Sequence, residues 1–212
     1  MSTLREPQRA ARAREAVLEA ATRLFLEEGV GSVSAGHIAR AAGVSAGNLQ
    51  YWFRSKQDIV RELFTRWAAE STPPQWAPDG PEEVLAALWN QVSIQQQVTA
   101  KYAFFPRELS AILHRDAELA QRYRLLYDAR SSRYVALAQQ AITAGLLRAP
   151  EPPTTLRDLV GLLWVLAETA EPFATNTGDP GIDAVRLSRA VIRPLLTDAG
   201  RAVLGLKPEV DR

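Results

Sequence analysis

Apolar residues recur along most of this chain at the spacing of amphipathic helices. In residues 9–28 they fall at positions i, i+3, i+4, i+7 and i+8, namely Val17, Ala20, Ala21, Leu24 and Phe25. Nowhere does the sequence alternate apolar and polar residues as a half-buried strand does. The pattern therefore predicts an all-α protein.

Small polar residues and glycine mark where the N-terminal helices begin and end. Gly29 is expected to end the first helix, because glycine readily takes the left-handed backbone conformation. Ser34 and Ser45 are expected to cap two short helices. Ser55 and Asp58 have the spacing of a capping box, which indicates the start of another helix. Together these signals predict four helices before residue 70.

The second part of the chain is predicted to consist of longer helices. Apolar spacing favours helices at residues 82–99, 102–114, 117–147, 156–174 and 182–196. A stretch with four prolines and a glycine separates them from the first part and indicates a connector. We therefore predict a domain at residues 1–70, a connector at residues 71–81 and a second domain at residues 82–212.

Composition excludes several classes of protein. With 212 residues, 47% of them hydrophobic, the chain can bury a sizeable core, and it has no cysteine for disulfides or a thiolate zinc site. The longest apolar run, residues 159–167, is shorter than the ~20 residues that a membrane helix needs. The charged N-terminus lacks the apolar segment of a signal peptide, so we expect a cytoplasmic protein without membrane contact.

Charge is distributed unevenly, although the formal net charge is only +1. Residues 1–67 carry ten Lys and Arg against seven Asp and Glu, which leaves 15 against 17 for the remainder. Four of these cations precede or lie within the first helix: Arg5, Arg9, Arg12 and Arg14. Such a basic arm either reaches phosphate or is simply solvated, and the sequence leaves both interpretations open.

Residues 34–56 have the pattern of a helix-turn-helix. Gly43 and its small neighbours permit a sharp turn, and Leu49 and Phe53 share a face that can pack on the core. The side chains expected to stay exposed are polar or aromatic: Asn48, Gln50, Tyr51 and Trp52. Together with the cations that follow, they suit the major groove of DNA. The alternative is an ordinary helical hairpin that carries surface aromatic residues by chance.

The same residues carry a resemblance to a known family. Residues 13–67 resemble the N-terminal domain of TetR-family transcriptional regulators, with matches at Ala20-Ala-Thr-Arg-Leu-Phe, Gly29, Ile38-Ala, Ala42-Gly-Val-Ser, Gly47-Asn-Leu, Phe53 and Ser55-Lys-Gln-Asp-Ile. The resemblance implies an N-terminal three-helix helix-turn-helix DNA-binding domain and a larger helical domain for ligand binding and dimerisation. It further implies a homodimer, most often a repressor, that binds a palindromic operator and is released by a small effector.

The resemblance also implies which residues contact DNA. Ser34 and His37 match the phosphate-facing start of the second helix, and Lys56 matches a phosphate-binding lysine. The matching residues of the recognition helix are Ala46, Gly47, Asn48, Gln50, Tyr51 and Trp52. From their chemistry, the hydroxyls of Ser34, Ser45 and Tyr51 can each meet a phosphate.

Three positions depart from the commonest pattern of that family. Gln50 stands where an aromatic residue is usual, and Trp52 stands where histidine is common. Gly36 falls within the short second helix, where glycine costs about 0.5–1 kcal/mol relative to alanine. Because the amide group of glutamine can bond adenine at two points, we expect Gln50 to help set the operator sequence.

A small-molecule site is expected in the second domain. Pro106 and Pro172 lie within helical patterns, and we expect each to kink its helix and open space between packed helices. The candidate pocket residues are aromatic apart from one carboxylate: Trp89, Tyr102, Phe105, Trp164, Glu168 and Phe173. They fit a mostly apolar cavity with few polar groups. The alternative is that the aromatic residues are ordinary core and that Glu168 serves a subunit interface.

The last two long helices are the candidates for a dimer interface. The resemblance implies a four-helix bundle there, with two helices from each subunit. Their apolar residues offer enough area for an obligate interface: Leu159, Leu162, Leu163, Leu166, Val185, Leu187, Ile192 and Leu195. A two-fold dimer would set the recognition helices one DNA turn apart, about 34–36 Å.

Catalysis has little support in the sequence. The histidines are His37 and His114, and we find no phosphate-binding loop, nucleophile elbow or paired-carboxylate motif. We expect no catalytic residue, cofactor or metal site, and we expect double-stranded operator DNA, a second copy of the chain and an unidentified small effector as partners. The alternatives are a constitutive or partner-controlled DNA-binding protein without an effector, and an enzyme of helical fold.

Overall fold

Helices dominate the part of the chain that the structure describes. The structure is a computed structural model, and it describes residues 5–71 and 78–207. Within these ranges no β-strand forms, and the β-type pairing is limited to an isolated antiparallel bridge between Leu147 and Leu196. The prediction of an all-α protein is confirmed. Most of the predicted connector, residues 72–77, lies outside the described residues.

Four helices span residues 5–70, namely α1 (Arg5–Glu28), α2 (Ala35–Ala41), α3 (Ala46–Trp52) and α4 (Lys56–Glu70). The residues that were predicted to begin and end these helices lie at their ends. Gly29 takes a φ of +81° directly after α1. Ser55 and Asp58 form the capping box before α4, since each backbone amide donates to the other side chain, at 2.9 and 3.3 Å.

The helices after residue 80 are α5 (Pro81–Lys101), α6 (Phe104–Arg115), α7 (Ala117–Thr143), α8 (Leu156–Thr177), α9 (Ala184–Ile192) and α10 (Asp198–Val203). The sequence pattern did not predict α10, and it placed the end of α7 too late. Gly145 takes a φ of +71° in the turn that follows α7. After α9 the chain forms a short 3-10 turn, Arg193–Leu195, because Pro194 has no amide to continue an α-helix.

Pro106 does not kink a helix. Because α6 begins at Phe104, Pro106 lies in its first turn, where a backbone amide has no partner within the helix and proline is tolerated. The predicted kink at Pro106 is therefore wrong. Pro172 does lie inside α8, which continues to Thr177.

The chain folds into two compact units, and each is discontinuous in sequence. The first unit joins the chain up to Glu70 with Thr99–Ala120, and the second joins Ser71–Val98 with the chain from Gln121 onward. In the first unit, α1 packs against α2, α3 and α4. Its largest fully buried side chains are apolar: Val17, Leu18, Phe25, Val33, Ile38, Ile59, Leu63, Phe104, Phe105 and Leu119.

Two neighbouring phenylalanines of α6 complete the core of the first unit. Phe104 packs edge-on against Phe25 of α1, with ring centroids 5.3 Å apart. Phe105 packs against Phe64 and Trp67 of α4, at 5.9 and 5.6 Å. The edge-on contacts of Phe104 with Phe25 and of Phe105 with Phe64 stabilise the core beyond the area that they bury. The helix-turn-helix segment is thus held by a core that α6 helps to build.

The second unit has its own apolar core, built from helices α5, α7 and α10 and the turns beside them. Its buried residues are Val84, Leu85, Leu137, Ala141, Leu146, Leu147 and Leu196. Gly200 of α10 lies so close to this core that an added Cβ would be 2.1 Å from the Leu146 carbonyl oxygen, so the approach requires glycine. In the same unit α8 packs against α9. None of the helices in the described ranges is long and apolar enough to span a membrane.

Candidate nucleic-acid interface

The two serines at the helix starts act as the sequence predicts. The Ser34 hydroxyl accepts the amide of His37, and the Ser45 hydroxyl accepts the amide of Asn48, both at 3.1 Å. The backbone of each serine itself is extended, as an N-cap requires. Each hydroxyl oxygen is used as an acceptor, so its own proton can still be donated to a phosphate oxygen.

A left-handed glycine forms the turn between α2 and α3. Gly43 takes a φ of +66°, and the amide of Val44 returns to the carbonyl oxygen of Ala39 at 3.0 Å. A Cβ on Gly43 would meet no atom within 4 Å, so the backbone angle and not crowding favours glycine here. This turn sets the direction in which α3 leaves α2.

The α3 helix has one buried face and one open face. Leu49 and Phe53 are buried in the first unit, as predicted. The open residues include Asn48, Gln50 and Tyr51, of which Tyr51 is 85% exposed. Exposed residues at the start of the helix are Ala46 and Gly47. The structure therefore presents a short helix whose polar groups are available to a partner.

Trp52 is the exception on this helix. It was expected to be exposed, but the structure leaves it only partly exposed at the end of α3.

One cation of the predicted basic arm contacts the residue after Trp52. The guanidinium of Arg14 lies 5.0 Å from the centroid of the Phe53 ring. Arg14 also pairs with Glu62 at 3.2 Å, so this cation of the predicted basic arm is engaged within the unit.

Lys56 binds the protein backbone in this structure. Its Nζ donates to the carbonyl oxygens of Val30 and Val33, at 2.7 and 2.8 Å. Burial, with a smaller contribution from the nearby Arg115, lowers the pKa of Lys56 below its ordinary value. An ammonium group has three donors, so one remains for the predicted phosphate contact.

Glu108 of α6 binds backbone amides of the loop between α1 and α2, whose carbonyl oxygens Lys56 binds. Glu108 accepts the amide of Val30 at 2.8 Å through Oε1 and the amide of Gly31 at 3.3 Å through Oε2. The sequence analysis did not single out Glu108. It lies 78 residues from Val30 in the chain, and no local pattern signals such a partner.

A second polar link joins α4 to the segment after α6. Arg61 makes two parallel hydrogen bonds to Asp116, at 2.8 and 2.9 Å, and the Asp116 side chain is almost fully buried. Asp116 also accepts the amide of Leu119 at 3.0 Å, which caps the start of α7. The hydrogen bonds from Arg61 hold the pKa of the Asp116 carboxyl below its ordinary value.

His37 lies beside an acidic residue at the end of α1. Its Nδ1 is 3.7 Å from Oε2 of Glu28, and both side chains are partly exposed. An ion pair forms here only when the imidazole is protonated. The residues predicted to contact DNA thus gather at the start of α2, along α3 and at the start of α4.

Two of the predicted effector residues belong to the first unit. Phe105 is fully buried in its aromatic core. Tyr102 donates its hydroxyl to Glu70 at 2.8 Å, and burial, reinforced by this bond, raises the pKa of Tyr102 to about 12. Tyr102 also lines an open cavity of about 400 Å³ beside α1, together with Leu63 and Arg66.

The remaining predicted effector residues belong to the second unit. Trp164 and Glu168 lie one turn apart on α8 and are joined by a hydrogen bond of 2.7 Å. Trp89 of α5 lies 5.2 Å below the guanidinium of Arg189. Phe173 is 57% exposed. The structure thus brings Trp164 and Glu168 together in one cluster.

Comparison with known proteins extends the likeness beyond the helix-turn-helix. Residues 17–63 match the family model of bacterial regulatory proteins of the tetR family. Residues 74–204, which make up more than half of the chain, match the TetR family model, described as a bacterial transcriptional repressor. The HTH-type transcriptional regulator AcrR of Shigella flexneri is 42% identical over 57 residues. That match spans 27% of this chain and 26% of AcrR.

Solved structures share the fold along most of the chain. A TetR-family regulator from Marinobacter aquaeolei has a TM-score of 0.75 at 23% identity, covering 91% of this chain and 95% of that one. A TetR regulator from Haloarcula marismortui has a TM-score of 0.68 at 16% identity, with 88% and 100% covered. At these identities the likeness shows the fold alone. Together with the two family matches, the helix-turn-helix geometry shows that this chain belongs to the TetR family of transcriptional regulators.

Proposed function

We propose that this regulator is a repressor, which binds a palindromic operator as a homodimer and is released by a small-molecule effector. The geometry of α3 carries the proposal. Leu49 and Phe53 fix the helix in its unit, while Asn48, Gln50 and Tyr51 remain exposed. Such a helix can enter a major groove without losing the contacts that hold it in the protein.

We assign the roles along the chain accordingly. Residues 1–70 read DNA, residues 71–81 connect, and residues 82–212 bind the effector and the second subunit, in the cytoplasm. Phosphate contacts come from the helix starts and from Tyr51, Lys56 and His37, and the base contact comes from Gln50. The three exposed groups at the start of α3, Ala46, Gly47 and Asn48, allow a close approach to the groove.

The exposed face of α8 supports the proposed homodimer. Leu162, Val165 and Phe173 are 45%, 55% and 57% exposed, and with the exposed Thr169 they fall at i, i+3, i+7 and i+11. This spacing places them on one side of the helix. A row of exposed apolar side chains is typical of a surface that another protein covers. We propose that the same face of a second copy covers it.

Selection of bound sequences from random double-stranded DNA tests the proposal with the full chain. The enriched sequences should contain an inverted repeat with half-sites one helical turn apart, about 10 base pairs. Tyr51→Ala should weaken binding to the selected operator, whereas Gln140→Ala, which changes an exposed residue of α7, should not. If no sequence were enriched, the proposed operator binding would be refuted.

The selected operator also decides between a ligand-controlled repressor and the alternatives. A small molecule that weakens the complex would support control by an effector, with typical couplings of about 1–3 kcal/mol, or roughly 5–150-fold. A complex that no small molecule weakens would favour a constitutive or partner-controlled DNA-binding protein. An enzyme would show turnover that survives the change of Tyr51.

A further inference from the structure

A cluster of three polar groups joins α7 to α8 in the second unit. The Tyr123 hydroxyl donates to Oε1 of Glu168. The indole Nε1 of Trp164 lies 2.7 Å from the same oxygen and 2.9 Å from the Tyr123 hydroxyl oxygen. Both hydrogen bonds to Glu168 therefore fall on one oxygen atom of its carboxyl group.

The other carboxyl oxygen of Glu168, Oε2, can still accept hydrogen bonds. Oε2 accepts no hydrogen bond from the residues that the structure describes, and Glu168 forms no ion pair with them. The Glu168 side chain is nevertheless partly buried. Burial raises the pKa of the Glu168 carboxyl, and the bonds from Tyr123 and Trp164 oppose this rise. A carboxylate in such surroundings gains much from a cation that shares its site.

Two tyrosine rings pack against Trp164, whose indole donates to this carboxyl group. Tyr127 stands edge-on to Trp164, with ring centroids 5.0 Å apart and planes at 89°. Tyr123 lies 6.5 Å from the same indole, at 76°. Gly161, one turn before Trp164 on α8, has no side chain, and an added Cβ would lie 3.8 Å from the Tyr127 hydroxyl oxygen. The electron-rich faces of such rings attract cations.

The geometry points to a binding site for an organic cation, formed by Glu168 with Trp164, Tyr123 and Tyr127. The carboxylate oxygen pairs with the positive charge, and the rings receive the hydrocarbon part. A metal ion fits less well, because no group of three or more His, Asp or Glu gathers at any point in residues 5–71 and 78–207. The site deepens the proposed function, since the cation would be the effector.

Direct binding to the full chain without DNA tests this site. We would titrate benzyltrimethylammonium and the larger tetraphenylphosphonium by calorimetry, with the shape-matched neutral neopentylbenzene as the control compound. At least one cation should bind, and Glu168→Gln should weaken it about tenfold or more because the ion pair is lost. Glu171→Gln, on an exposed residue of the same helix, should leave the affinity unchanged.

The site would be overturned if neither cation bound, or if wild type and Glu168→Gln bound the cation with equal affinity. Preferential binding of the neutral compound would also overturn it. Thermal unfolding of both variants verifies that each is folded. A second variant, Trp164→Leu, should weaken the cation while leaving the carboxylate in place.

Failure of the site and failure of the proposed function are distinguishable. If a cation binds through Glu168 but leaves operator affinity unchanged, the site stands and its effector role is refuted. If another small molecule releases the operator while neither cation binds, the proposed function stands and the cation site is refuted.

Discussion

Glu108 and Lys56 bind the same residue, Val30, in the short loop between α1 and α2. Glu108 accepts the amide of Val30, while Lys56 donates to the carbonyl oxygen of the same residue. The loop leads directly to Ser34, which starts α2. Two side chains of opposite charge, from α6 and α4, therefore fix the entry to the helix-turn-helix.

We expect Glu108→Ala to lower both stability and operator affinity. The change leaves the amide of the buried Val30 without its acceptor, which costs about 1–3 kcal/mol, whereas the exposed amide of Gly31 can bond water instead. Urea unfolding and operator titration measure the two effects. Glu27→Ala provides the control, because Glu27 is exposed on α1 and makes no hydrogen bond or ion pair with the described residues. Equal behaviour of the two variants would contradict the role of Glu108.

Asp116 is expected to act both as a cap and as an ion-pair partner. Asp116→Asn keeps an acceptor for the amide of Leu119 but loses the charge that faces Arg61. Asp116→Ala loses both. We expect the alanine variant to be less stable than the asparagine variant by about 1 kcal/mol, the usual value of a helix cap, in chemical unfolding. Similar losses for the two variants would show that the cap contributes little.

The ion pair of Asp116 also predicts a dependence on pH. The folded-state pKa of Asp116 lies below the ~3.9 of an unfolded aspartate, so the unfolded chain takes up this proton first as pH falls. Its contribution to stability is therefore complete above about pH 5, and it is lost as pH falls through the folded-state pKa. The difference in unfolding free energy between wild type and Asp116→Asn should be constant from pH 5 to 8 and shrink below pH 4. A difference that grew in acid would contradict this assignment.

Gln50→Ala is expected to relax the sequence preference at one position of each operator half-site. A glutamine that bonds adenine at two points contributes about 1–3 kcal/mol of discrimination. Affinities for a set of operators with single base changes would measure it. A uniform loss across the whole set would mean that Gln50 contacts the DNA backbone instead.

Leu162→Glu is expected to give monomers, since it puts a charge on the exposed apolar face of α8. Leu125→Glu is the matched control, because Leu125 of α7 is also exposed, at 62%. It lies two residues from both Tyr123 and Tyr127, which pack on Trp164 of α8, so it points away from that helix. Light scattering would measure the mass of each variant. A Leu162→Glu variant of unchanged mass would refute an interface on this face.

Local sequence signals predicted most of the first unit. Ser34, Ser45 and the Ser55–Asp58 pair act on amides only three residues away, so their effect can be inferred from the sequence alone. The kink predicted at Pro106 is wrong because the first residue of α6 was not predicted. The effect of Pro106 depends on whether a helix has already begun, and the apolar pattern did not show the turn that precedes Phe104.

Long-range partners could not be predicted in the same way. The resemblance to the TetR family implied a phosphate contact for Lys56, but the two carbonyl oxygens that Lys56 binds lie 26 and 23 residues earlier in the chain. The sequence predicts both Trp164 and Glu168 as effector residues, because they add an aromatic ring and a carboxylate to the apolar segment near Pro172. Tyr123, which completes their cluster, comes from another helix 41 and 45 residues away.

The discontinuity of the first unit affects how such regulators can be recombined. A chimera that grafts only residues 1–70 onto another sensor would leave behind Phe104 and Phe105, so Phe25, Phe64 and Trp67 would lose the rings they pack against. It would also leave behind Glu108 and its hold on the loop before α2. A transplant that keeps its fold must carry Thr99–Ala120 as well, and the host must accept two crossover points rather than one.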